Sequence, residues 1–193
     1  IDTQISLPEG YHVEFGGQFE SEEAASRTLL FTSFISIIVI FLLIYHEFHD
    51  LRESAIILLN LPLAVIGGVF TLLFTSGEIS IPAIIGFISL FGIATRNGML
   101  LINRYKTLQH EGGKTLIESV VHGSLDRLNP ILMTALTSAL ALIPLAVNGD
   151  LPGNEIQSPM AQVILGGLLS STLLNGFIVP IVYLWMAKKE TKA

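Results

Sequence analysis

Phe91-Gly92-Ile93-Ala94-Thr95-Arg96-Asn97-Gly98-Met99-Leu100-Leu101-Ile102-Asn103 decides how the rest of this sequence reads. It lies in an apolar run from Ile81 to Ile102, long enough to cross a bilayer, and it carries a permanent cation. A guanidinium at membrane depth costs roughly 2.5–3.5 kcal/mol or more, so it normally faces a bundle interior, a water-filled path or a carboxylate. On a helix Ser89, Arg96 and Asn103 are seven apart and share one stripe, with Gly92 and Met99 beside them. Such a stripe suits a buried proton or ion path. Position alone admits a second reading: Arg96 stands six residues, roughly 9 Å, from the end of its run, within partial reach of a snorkelling side chain.

Outward from this stretch the chain repeats the same theme. Four further apolar runs read as spans, at about residues 28–45, 54–75, 130–147 and 159–186, so the expected fold is an all-α membrane bundle of five helices. The composition agrees: 51% of the 193 residues are hydrophobic, 13% are charged and the mean hydropathy is +0.66. Residues 1–27 read instead as an extracytoplasmic lead-in. There Tyr11, Val13 and Phe15 alternate like a short strand, Gly16-Gly17 ends it, and Ser21 is placed to cap a helix that opens with Glu22 and Glu23. With no cysteine, disulfides and thiolate metal sites are excluded.

Charge is sorted by side. Arg52, Arg104, Lys106, Lys114, Arg127, Lys188, Lys189 and Lys192 flank one side of the five spans, whereas the other carries Arg27 and a string of carboxylates that includes Glu22, Glu23, Glu78, Asp150 and Glu155. The positive-inside rule then puts the N-terminus outside and the C-terminus in the cytoplasm. The first residues lack the basic and apolar segments of a cleavable leader, which leads us to expect the C-terminal part of a longer polypeptide. No Asp or Glu lies within any of the five runs, so a buried Arg96 would draw its anionic partner from elsewhere.

Other patterns are less specific. Arg127, Thr134 and Ser138 share a stripe, but Pro130 is expected to break the start of the fourth span, and on position alone Arg127 reads as an interfacial cation. Gly166, Gly167, Ser170, Ser171 and Asn175 form a small-residue face, as do Gly67-Gly68, and packing is the expected use of both. His46 and His49 at i, i+3 read as a solvated turn rather than a metal site. No Gly-Lys-Ser/Thr loop or nucleophile triad codes for hydrolysis.

Four segments together carry a resemblance: Gly10-Tyr11-His12-Val13-Glu14-Phe15-Gly16-Gly17-Gln18-Phe19-Glu20, Pro62-Leu63-Ala64-Val65-Ile66-Gly67-Gly68, Gly92-Ile93-Ala94-Thr95-Arg96-Asn97-Gly98 and Asn129-Pro130-Ile131-Leu132-Met133-Thr134. The chain resembles the C-terminal membrane half of resistance–nodulation–division (RND) efflux permeases. Pro152-Gly153-Asn154-Glu155-Ile156-Gln157-Ser158-Pro159-Met160-Ala161 makes it more similar to the heavy-metal branch than to the drug branch. The resemblance implies a proton antiporter of the bacterial inner membrane, a homotrimer joined to a periplasmic adaptor and an outer-membrane channel. No cofactor beyond the proton motive force and no nucleic-acid partner are expected. It also implies a proton relay in which Arg96, Arg127 and Thr134 complete carboxylates of a fourth span absent here; Ser89 and Asn103 on the Arg96 stripe, and Asn97 beside it, are further candidates from the residues themselves. The drug branch usually carries Lys at the position of Arg96, and copper exporters a carboxylate. Two rivals stand beside this reading: a drug or lipid exporter of the same family, and a non-transporting membrane scaffold.

Overall fold

A computed structural model describes residues 18–75, 77–110, 113, 115–149, 151–154 and 156–190. The expected strand at 11–15 lies outside the described residues. Among the described residues six helices follow in order: α1 (Gln18–Phe48), α2 (Leu51–Leu58), α3 (Asn60–Phe74), α4 (Ile81–His110), α5 (Leu116–Val147) and α6 (Gln157–Glu190). With α2 and α3 counted as one interrupted span, five helices among the described residues are long and apolar enough to cross a membrane. A helix satisfies its own backbone polar groups, so apolar runs of this length have little alternative in lipid.

Local chemistry sets the helix ends. Asp50 caps α2 by accepting the Arg52 amide at 2.8 Å, after His49 turns the chain in the left-handed region at φ 53°. Thr115 and Glu118 form a capping box at the start of α5. Two expectations are corrected here. Ser21 is not a cap, because α1 already begins at Gln18. Nor does Pro130 break the fourth span: α5 runs unbroken from Leu116 through Pro130 and Pro144 to Val147. A proline removes one helical hydrogen bond, and in a membrane helix its neighbours hold the chain in register.

Helix α6 is the hub, packed against α3, α4 and α5. Its small face does close on α3. A Cβ on Gly166 would collide with the Thr71 hydroxyl, and one on Gly67 with Ser170, whose hydroxyl donates to the Leu63 carbonyl at 2.5 Å. Such faces let backbones approach closely enough for dispersion and hydrogen bonds to hold the pair. At the end rich in Lys and Arg, Ile44, Ile57, Leu101, Tyr105, Val120 and Tyr183 gather side chains from all of the spans into one core. Elsewhere the outer surface is apolar, with Phe31, Phe34, Leu43, Leu140, Phe177 and Trp185 each about two-thirds exposed, as a lipid-facing protein requires.

Candidate functional site

Helix α4 turns one face away from this bundle. Ile85, Ser89, Gly92, Arg96 and Asn103 are all exposed and follow one another at helical spacing. The Ser89 hydroxyl bonds back to the Ile85 carbonyl at 3.0 Å, and a Cβ on Gly92 would meet nothing within 4 Å. Arg96 has no ion pair or hydrogen bond among the described residues. The other exposed faces of the bundle present mostly Leu, Ile, Val and Phe, so this stripe stands apart as small, polar and cationic.

Asn97 is elsewhere. Next to Arg96 in sequence, it is rotated about 100° around the helix and is 6% exposed, on the buried side of α4. On that same side Gly98 receives the buried Asn60 amide of α3, whose Nδ2 lacks a partner. Asn97 therefore does not share the open stripe.

On α5, Arg127 and Thr134 are half-buried. Thr134 donates its hydroxyl to the Pro130 carbonyl at 2.9 Å, and the Arg127 Nε is sealed from solvent with no partner among the described residues. Neither is bonded to Arg96, but their levels correspond. Arg104 grips Asp126 through Nη2 at 2.6 Å and Nε at 3.1 Å, and the Tyr105 and Ser124 hydroxyls meet at 2.6 Å. These contacts fix the antiparallel register of α4 against α5. Eight residues along each helix from the Arg104–Asp126 rung, roughly 12 Å, Arg96 and Thr134 stand at one level. One residue along from the same rung, Asn103 and Arg127 share another level. The two stripes singled out in the sequence thus run at matching levels along neighbouring helices.

The Arg104–Asp126 rung and the Lys106–Glu53 pair at 2.6 Å escaped sequence reasoning, because partners 22 and 53 residues apart leave no local pattern. His46 and His49 lie with ring centroids 5.8 Å apart on the exposed turn between α1 and α2. Among the described residues no three His, Asp or Glu side chains converge as a metal site.

Comparison with known proteins gives a consistent picture. The family model described as AcrB/AcrD/AcrF matches residues 1–187. The chain is 34% identical over 193 residues to the cobalt-zinc-cadmium resistance protein CzcA of Cupriavidus metallidurans, covering 100% of this chain and 18% of that one. It is 39% identical over 183 residues to protein HelA of Legionella pneumophila, covering 95% of this chain and 17% of HelA. A heavy metal efflux pump solved by X-ray crystallography superposes with a TM-score of 0.81 at 34% identity, over 97% of this chain and 18% of the pump. The chain thus spans less than a fifth of the length of these relatives. With a match over nearly all its residues and the same helical arrangement as a solved pump, the chain belongs to the AcrB/AcrD/AcrF family of RND permeases, multi-pass membrane transporters.

Proposed function

We propose that this chain forms a membrane half of a proton-driven permease that exports heavy-metal cations, with Arg96 as the fixed positive partner of carboxylates on the other half. The observation that carries this reading is the open stripe of α4: a guanidinium with no counter-charge among the described residues, on a small and polar face in an otherwise apolar surface. Lipid is a poor neighbour for such a face; a helix bearing Asp or Glu is a good one. CzcA is named for resistance to cobalt, zinc and cadmium, and the superposed structure is a heavy metal efflux pump, which supports metal cations as cargo.

A guanidinium does not give up its proton in a protein, so Arg96 cannot serve as the proton shuttle. It acts by attraction. Ionised carboxylates opposite it hold the two halves together in a low-dielectric site, and protonation removes that attraction and frees α4 to shift. Thr134, level with Arg96, and Arg127, one residue along from the Arg104–Asp126 rung, place further polar groups along the same path. The proton motive force supplies the energy, and no cofactor enters. The assembly we envisage is a homotrimer in the inner membrane, joined to a periplasmic adaptor and an outer-membrane channel. The Lys/Arg-rich end of the bundle faces the cytoplasm and the N-terminus faces the periplasm.

Zinc transport by the full-length permease in everted membrane vesicles tests the reading. Arg96→Ala lowers proton-coupled zinc transport about a hundredfold or more, matching the roughly 3–5 kcal/mol that breaking a buried charge pair costs. Arg96→Lys keeps a part of the activity, since the charge persists while the fork is lost. Normal transport by Arg96→Ala over a range of pH would sink the relay role. Orientation has its own check: a cysteine at Ile79 reacts with an impermeant thiol reagent from the periplasm, and one at His110 does not.

A further inference from the structure

A cavity of about 390 Å³ opens between α4, α5 and α6, within the roughly 300–1,000 Å³ of small-molecule sites. Its rim is apolar and faces outward: Leu125, Leu173 and Phe177 are 61%, 63% and 69% exposed. The inner wall differs. Asn175 is 1% exposed, and among the described residues neither its Nδ2 nor its Oδ1 has a hydrogen-bond partner. Thr172 on the same wall has an unpartnered, buried hydroxyl. Ser124 already meets the Tyr105 hydroxyl, so it leaves those groups unanswered. An amide buried without partners costs on the order of 1–3 kcal/mol, a strong reason to look for what satisfies it. No lining residue is ionisable, and none is a thioether, imidazole or carboxylate, so the lining suits neither an ion nor a metal.

We propose that this cavity is a laterally open binding site for a small neutral amphiphile, its apolar body lying among Leu125, Leu128 and Phe177 and its hydrogen-bonding head taken by Asn175 and Thr172. The site is distinct from the α4 stripe. It also touches the helices that carry that stripe and its α5 counterpart, through Leu101 and Ile131, so an occupant wedges α4, α5 and α6 together.

The test uses full-length permease in lipid nanodiscs and 3-azioctanol, a photoreactive eight-carbon alcohol, with adducts mapped by mass spectrometry. Adducts are expected within 124–132 and 172–177, saturating with dose and displaced by excess 1-octanol. Asn175→Leu and Thr172→Val, each checked for unchanged size-exclusion elution, lower the saturable labelling by about three- to tenfold, the worth of one hydrogen bond. Leu128→Trp fills the cavity and abolishes it, whereas Leu140→Trp, exposed on α5 outside the lining, leaves it unchanged. Adducts spread along all lipid-facing helices without displacement overturn the proposal, as they would if a helix of the other half fills the cavity. Labelling that ignores both Asn175→Leu and Thr172→Val also overturns it, since the cavity then takes acyl chains by shape alone.

Discussion

The α3–α6 crossing and the open face of α4 draw on the same vocabulary of Gly, Ser and other short polar residues at helical spacing, with opposite results. At the crossing, Gly67, Thr71, Gly166 and Ser170 bring two backbones into contact, Thr71 bonds to the Gly67 carbonyl at 2.9 Å and Ser170 reaches across to Leu63. On α4, Ser89 bonds to its own helix and nothing approaches Gly92. The difference is the charge. A face of small neutral residues is satisfied by another helix of the same chain, whereas a guanidinium among them needs an anion that α1, α3, α5 and α6 do not offer at its depth. Small-residue spacing thus marks where helices can come close, and on the function we propose an added cation marks where an acidic neighbour docks.

The largest effect that would break this contrast lies at the crossing. Gly166→Leu drives a side chain into Thr71 and the Gly67 carbonyl at 2.7 Å, and it is expected to cost about 3 kcal/mol, read as loss of monodisperse protein in detergent. Gly92→Leu, with open space around it, leaves the five-helix unit folded and shows its effect in transport by the full permease. Equal loss of folded protein at both positions would erase the distinction.

A finer probe removes single hydrogen bonds. Ser170→Ala deletes the bond to Leu63 and lowers stability by about 0.6 kcal/mol, a typical value between membrane helices, measurable by steric-trap unfolding. Ser89→Ala, whose hydroxyl bonds only within its own helix, changes stability by less. The smallest effect is expected at the α4–α5 rung. Arg104 and Asp126 side chains are 34% and 46% exposed, so Asp126→Asn costs only about 0.2 kcal/mol, and the loss shrinks further at high salt.

The helices were legible because length and apolarity leave lipid-embedded backbone little choice. Arg96 drew notice because a cation in such a run demands an explanation, and the structure leaves it on the exposed face of α4. Three features were not. Pro130 looked like a break, yet a long membrane helix carries it unbroken, since the start at the Thr115 capping box lies well before the proline. Asn175 read as one more small packing residue of α6; its side chain instead lies buried on the wall of a cavity, and only three-dimensional geometry shows that its amide has no partner. The levelling of Arg96 with Thr134 depends on the Arg104–Asp126 rung, a tertiary contact that no spacing within either helix encodes.

Infrared titration of the intramembrane carboxyl groups of the full-length permease, parent against Arg96→Ala, tests the central claim most directly. A cation within a few ångströms holds a carboxylate roughly 1–3 units below its pKa without that neighbour. Removing the guanidinium is therefore expected to move the carboxyl protonation midpoint to higher pH, with Arg96→Lys shifting it less. A midpoint that stays in place in Arg96→Ala, within the error of the titration, would contradict the pairing of Arg96 with those carboxylates.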